Sequence, residues 1–436
     1  MRIADAATVT SARIEGLRRD IEAGRANALD AFWEAVAAEG APLVEAIPDI
    51  DDEVLVTFVW RGSSETNSVR VCNDDILAGT PRDSAMARLG YTDVWHKTYR
   101  LPADVRFEYV FALNDPELSG EKPWSWQEKA AALVVDPLNP RRYLIPDDGE
   151  HPEWNDFWGP WSTWTKREQS LAELPAAPRQ PWVIERSDVP KGRIDKHVFE
   201  SAIPANRRVV YVYTPARYEA QSEPSGLLVL SDAWAYRAMI PTPTILDNLI
   251  AEGSVPPLVA VLVDHPTLDL RMKELSFEPQ GRAFVSFLTG VLLPWLHAHY
   301  RVTSDPARSI VGGASDGGDT AARIAFEYPG LFGNVLSQSG TFGRPSPADD
   351  SEPEWFARHV ASSPALAIRF YLDAGSMETG ADVGGTSILE SNRHLRMTLL
   401  EKGHEVLHVE FSGGHQPVCW QGTIRDALVW LTAARS

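Results

Sequence analysis

An α/β fold in two parts is predicted by three features of the chain: a mostly parallel sheet forms its C-terminal part and a β-sandwich its N-terminal part. After about residue 190, apolar runs alternate with stretches of helical periodicity, the pattern of strands buried on both faces and joined by crossovers. From about 52 to 145, short runs of β-formers follow one another with turn residues and no helices between them, the rhythm of a sandwich. The length of 436 residues exceeds what one hydrophobic core organises.

Residues 11–40 read as helical, with Ser11 as the cap and Ile14, Leu17 and Ile21 at helical spacing. The runs VLVTFVWRG, SVRVCN, DVWHKTYRL and RFEYVFALN follow as strands. The next stretch, DDGEHPEWNDFWGPWSTWTKREQSLAELPAAPRQPW, holds too many indoles for a flexible linker. It reads as a connector packed on a domain surface, with an aromatic platform for carbohydrate as the alternative. The expected division is residues 1–150 for the helix and sandwich, 151–190 for the connector and 191–436 for the α/β part. Within the last, RVVYVYTP, GLLVLSD, LVAVLVDH, SIVGGAS, NVLSQSG, IRFYLDAG and VLHVEFSGG are strands, and AFVSFLTGVLLPWLHAHY, DTAARIAFEYP and ESNRHLRMTLLEKG are helices.

A net charge of −19 argues against nucleic acid or a membrane surface as partner, because both are polyanionic and require a basic face. An anionic small ligand would need local arginines. The N-terminus lacks the apolar core of a signal peptide and no stretch reaches the length of a membrane span, so a cytoplasmic location is expected. Two cysteines far apart, Cys72 and Cys419, exclude a disulfide framework and a Cys-based zinc site. The sequence shows no metal-ligand cluster, calls for no cofactor and leaves the oligomeric state open.

In an open α/β sheet, sites form beyond the carboxyl ends of the strands. There, Gly313-Ala314-Ser315-Asp316-Gly317 matches G-x-S-x-G, the sharp strand-to-helix turn that exposes a nucleophilic serine in α/β-hydrolases. A serine hydroxyl needs a base and an orienting acid, which in this architecture follow it in the order acid, then histidine. His415 ends the last strand in a glycine-loosened loop and is the expected base; His394, His404 and His408 fall on or near a helix or inside a strand. Asp373 and Glu378 both qualify as the acid, with Asp382 a distant third. Asp373 still lies on its strand whereas Glu378 lies in the loop beyond, which favours Glu378. The backbone N–H groups of Asp316 and of the Asp232-Ala233-Trp234 loop, at Trp234, are the expected oxyanion hole. The Asp316 carboxylate would oppose an oxyanion and is expected to turn away into an ion pair or hydrogen bond.

These residues, together with Arg271-Met272-Lys273-Glu274-Leu275, LSQSG, Asp136-Pro137-Leu138-Asn139-Pro140 and SLAELPAAPRQPW, make the chain similar to the enterochelin (enterobactin) esterases over nearly its whole length. The resemblance implies an α/β-hydrolase domain behind a β-sandwich domain and a Ser315, Glu378, His415 triad. It further implies hydrolysis of a ferric catecholate siderophore trilactone, with the iron brought by the substrate, and Arg271 as a contact for that anion. Arg271 bracing Glu274 is the competing role. The chain departs from the family after SQSG, where Arg344 stands in a region usually aromatic, and after His415, where Gln416-Pro417 replaces an acidic residue. Arg344 is accordingly a second expected substrate contact. The alternatives are a feruloyl or acetyl esterase of polysaccharides, which the absence of a secretion signal disfavours, and a non-catalytic siderophore-binding protein.

Overall fold

β-branched and aromatic runs separated by turn residues fold as antiparallel strands in the N-terminal unit, and apolar runs separated by helices fold as parallel strands in the second. The structure is a computed structural model and describes residues 10–73, 76–77, 82–119, 128, 132–145, 168–202, 205–276, 279–345, 352–380 and 385–434. The two compact units divide between Pro178 and Arg179.

The first unit begins with two helices, Ala12–Glu22 and Ala28–Glu39, in place of one. Ser11 caps the first by accepting the Ile14 N–H, and the chain breaks where Gly24 and Asn27 take positive φ. Ile14, Leu17, Phe32, Trp33 and Val36 then share a core with residues of the neighbouring sheet. That sheet has the order β1-β2-β5-β4, from β1 (Leu43–Ile47), β2 (Ile50–Arg61), β4 (Ala87–Arg88) and β5 (Val94–Pro102). The other has the order β3-β6-β9-β8, from β3 (Val69–Cys72), β6 (Arg106–Leu113), β8 (Arg142–Leu144) and β9 (Glu168–Glu173), with β7 (Leu133–Val134) paired on β6. Phe58 of β2 meets Tyr109 of β6 edge-on at 4.8 Å, so aromatic rings fill the space between the sheets. Here the sequence reading needs amending: the SLAE part of the expected connector is β9, a sheet strand. The tryptophan-rich part of that stretch lies outside the described residues.

The second unit carries an eight-stranded sheet of order β10-β11-β13-β12-β14-β15-β16-β17. Its strands are β10 (Arg193–Ala202), β11 (Ala205–Thr214), β12 (Gly226–Leu230), β13 (Leu258–Val263), β14 (Ser309–Ala314), β15 (Asn334–Gln338), β16 (Arg369–Gly375) and β17 (Glu405–Phe411). β10 and β11 form an antiparallel edge and the pairs from β13 to β17 are parallel. Every residue of β12 to β16 is buried, as expected of strands covered on both faces. β10 escapes the sequence reading because, as an edge strand, it mixes charged with apolar residues in RIDKHVFESA and shows no continuous apolar run. The helix Pro417–Thr432 also escapes it, although Trp420, Ile424, Leu428 and Leu431 recur at helical spacing and are buried. Among the described residues, no helix is long and apolar enough to cross a membrane.

Candidate active site

The parallel pairing of β12, β14, β15, β16 and β17 brings their carboxyl ends to one edge of the sheet, and Trp234, Ser315, Arg344, Glu378 and His415 lie in the segments that follow those ends. Ser315 follows β14 with φ 56° and ψ −123°, a strained conformation for a residue with a side chain, and the helix Asp316–Glu327 starts directly after it. The turn is held by its neighbour, since the Ser315 N–H donates to the Gln338 carbonyl at 2.8 Å. Glycine is a steric necessity at Gly313, where a Cβ would stand 2.6 Å from the Gly317 backbone; one on Gly317 would stand 2.5 Å from the Ser231 hydroxyl.

His415 lies in the loop after β17, and its Nδ1 stands 2.5 Å from Glu378 Oε1. A carboxylate only accepts, so Nδ1 carries the proton and Nε2 is left as the basic nitrogen. Glu378 is itself fixed, because its Oε2 accepts the Gly375 N–H at 2.6 Å and its side chain is buried. The imidazole packs perpendicular to the Trp420 indole at 4.8 Å, and Trp420 Nε1 donates to Ser339 Oγ at 2.9 Å.

Of the other candidate acids, Asp382 lies outside the described residues and Asp373 is not bonded to His415. It is buried at the end of β16, where Oδ1 accepts the Ser339 N–H at 2.9 Å. Burial, outweighing the Thr423 and Ser339 donors beside it and aided by the Glu378 charge, pushes its carboxyl up to about 7. The rival histidines stand elsewhere: His394 pairs with Glu354 on an exposed face, His404 is buried against the Ile368 carbonyl, and His408 lies within β17.

The loop after β12 lies against the elbow. β12 and β14 are adjacent, and the Ser231 N–H donates to the Gly312 carbonyl at 3.3 Å. Asp232 takes a positive φ of 56°, turning the chain into Ala233 and Trp234, both buried. The Asp316 carboxylate is engaged as its position demanded: Oδ1 accepts Thr341 Oγ1 at 2.9 Å and Arg344 Nη2 at 2.5 Å, and Oδ2 lies 3.7 Å from Arg271 Nη1.

Arg271 does not brace Glu274. Its Nε and Nη2 grip Asp232 in a bidentate pair at 2.6 and 2.7 Å, and its side chain is only 9% exposed. Glu274 has other partners, Arg208 at 3.0 Å and His265 Nδ1 at 2.6 Å. Burial would raise the Asp232 carboxyl, but the Arg271 charge overrides it and holds the group below its ordinary value. His265, Asp232 as an anion and the Ser339–Trp420 pair were not singled out from sequence. The signal for Asp232 was present, since an acidic residue beside an expected oxyanion N–H requires a buried cation.

With this geometry in view, a family model described as putative esterase matches residues 201–431, and one described as enterochelin esterase, N-terminal, matches residues 55–183. The chain belongs to the enterochelin esterase family. Relatives of this esterase include the iron(III) enterobactin esterase of Dickeya dadantii, 28% identical over 438 residues that cover 92% of each chain. The iron(III) salmochelin esterase of Escherichia coli O6:H1 is 26% identical, covering 95% of this chain and 96% of that one. Among solved structures, the enterobactin esterase of Shigella flexneri in the presence of enterobactin matches with a TM-score of 0.69 at 25% identity, over 92% of this chain and 97% of that one.

Proposed function

We propose that this esterase hydrolyses the trilactone backbone of a ferric catecholate siderophore, with Ser315 as nucleophile, His415 as base and Glu378 as the acid that orients it. The observation that carries the triad is the His415 Nδ1–Glu378 Oε1 bond, placed at the strand edge that also carries the elbow. Ser315 Oγ attacks an ester carbonyl while His415 Nε2 takes its proton. The tetrahedral oxyanion forms against the Asp316 and Trp234 N–H groups, the Asp316 amide lying at a helix N-terminus where backbone dipoles favour negative charge. The intermediate collapses, His415 returns the proton to the departing serine hydroxyl of the lactone, and the acyl group remains on Ser315. Water, activated by the same histidine, then releases the acid. Each turnover opens one ester and loosens the ligand's hold on its iron.

The substrate reading draws on the family and on relatives named for iron(III) enterobactin and salmochelin. Arg344 supports it locally, since its side chain is 17% exposed beside the elbow and offers a cation to an anionic ligand. Acyl transfer of this kind needs no cofactor, and the iron enters with the substrate. Cys72 and Cys419, both buried and not joined in a disulfide, suit the reducing cytoplasm, where we place the reaction. Mass spectrometry after incubation with ferric enterobactin, a glucosylated analogue and a feruloyl sugar tests the proposal. Linear dihydroxybenzoyl-serine products from the first two support it, and cleavage of the feruloyl sugar alone overturns it.

A further inference from the structure

Behind the elbow runs a line of buried charge that the triad does not use. Arg208 binds Glu274 and the Asp264 carbonyl, Glu274 binds His265, and His265 Nε2 lies 3.6 Å from Asp232 Oδ1. Asp232 is gripped by Arg271, whose Nη1 lies 3.7 Å from Asp316, and Asp316 binds Arg344. Three guanidiniums face three carboxylates along this line, with His265 between Glu274 and Asp232. Buried ion pairs of this kind seldom add net stability over apolar packing, which directs attention to what they fix in place.

They converge on the two loops whose amides were assigned to the oxyanion hole. Asp232 sits at positive φ two residues before Trp234, and Asp316 is the first residue of the helix after Ser315. Arg271 belongs to neither loop: it lies on the helix Leu268–Glu274 and reaches both carboxylates. We infer that Arg271 is a positioning residue that ties the two oxyanion loops together and, with Arg344, neutralises the Asp316 carboxylate beside the developing oxyanion, rather than a direct contact for substrate. The inference rests on the esterase reading and on the Asp316 and Trp234 amides as the hole.

Two consequences separate this role from substrate contact and from a merely structural one. A tie acting on the transition state affects every ester, charged or neutral, through kcat. And if part of its work is to cancel the Asp316 charge, removing that charge restores part of what the loss of Arg271 costs. Kinetics of the full chain with p-nitrophenyl acetate and ferric enterobactin, on wild type, Arg271→Gln, Arg271→Lys, Asp316→Asn and Arg271→Gln/Asp316→Asn, with Tm for each, decide the matter. Arg271→Gln is expected to lower kcat for both esters about 10- to 100-fold, the scale of a mispositioned oxyanion donor, with KM for the neutral ester unchanged. The double variant is expected to exceed Arg271→Gln in kcat by about threefold or more, a coupling that loss of packing cannot produce. Should Arg271→Gln fail to fold, Arg271→Lys, which keeps the charge and loses the fork, carries the neutral-ester comparison. A rise in KM for the ferric siderophore with kcat on the neutral ester intact overturns the inference and makes Arg271 a substrate contact. A double variant no better than Arg271→Gln overturns the neutralising role. Wild type that cleaves p-nitrophenyl acetate but not ferric enterobactin overturns the siderophore reading alone, and the neutral-ester arm still decides the role of Arg271.

Discussion

At the scale of single residues, two carboxyls sit a few positions apart in different surroundings. Glu378 bonds His415 Nδ1 with one oxygen and accepts the Gly375 N–H with the other. Asp373, buried at the strand end and pushed up to about 7, is a neutral carboxyl over much of the acidic range. Glu378→Gln is therefore expected to cost on the order of 10³-fold in kcat, because the amide cannot hold the imidazole in its productive tautomer, while Asp373→Asn costs less than about tenfold. A reversed ranking in folded variants would move the acid to Asp373. Ser315→Ala should lower kcat by about 10³-fold or more with ligand binding retained, and near-normal turnover would remove Ser315 as the nucleophile. Asp373 also makes a prediction for stability. Its folded pKa lies above its unfolded value near 4, so between those limits the folded state holds the proton more tightly, and stability falls as pH rises through about 7. Asp373→Asn should remove that loss, raising Tm relative to wild type at pH 8 but not at pH 4, by on the order of 3 kcal/mol in stability. A Tm difference independent of pH would contradict it.

Elements of secondary structure set how much of this was readable from sequence. The elbow was legible because its requirement is local: a serine at positive φ between a strand and a helix needs glycines around it. The Glu378–His415 pair was readable because each stands just beyond the end of a strand, β16 and β17, that the apolar runs mark out. The partner of Arg271 was not, since Arg271, on the helix Leu268–Glu274, and Asp232 are 39 residues apart and meet because β12 and β13, which their segments follow, pair side by side. The same limit hid β9. Its SLAE segment looked like part of a connector, yet Ser170 Oγ accepts the Asp136 N–H and Asn139 Nδ2 donates to the Leu171 carbonyl, so DPLNP and SLAE hold one another. Two segments quoted as separate marks of the family are thus one structural joint. At the elbow, position decides the cost of a methyl group. Gly313→Ala would press on Gly317 backbone, which cannot yield, and should lower kcat by about 10²-fold and stability by about 2 kcal/mol. Gly317→Ala meets only the Ser231 hydroxyl, which can rotate, and should cost less; Gly330→Ala, with open space around it, should cost nothing measurable in activity. Equal losses at Gly313 and Gly330 would show that the elbow tolerates the methyl.

For the whole molecule, the decisive quantity is charge. The protein carries −19 at neutral pH, and the substrate proposed for it, a ferric tris-catecholate, is itself an anion. Long-range forces between the two are therefore repulsive, and whether association is helped or hindered depends on what stands near Ser315. The cations behind the elbow are matched by carboxylates: Arg208 by Glu274, Arg271 by Asp232 and Arg344 by Asp316. Pairs of that kind leave little field beyond a Debye length of about 10 Å at 0.1 M salt, so the net charge governs approach while Arg344 acts only on contact. Raising ionic strength from about 0.02 to 0.3 M should then increase kcat/KM for the ferric siderophore by about two- to fivefold, since screening removes repulsion between like charges. The same change should leave p-nitrophenyl acetate, which is neutral, unaffected. Arg344→Gln should raise KM for the siderophore at every salt concentration without altering the slope, because a paired side chain contributes to the contact and not to the distant field. A fall in kcat/KM with added salt would mean that a local positive surface outweighs the net charge and steers the ligand inward, and stopped-flow association at two salt concentrations would then locate the effect in the on-rate.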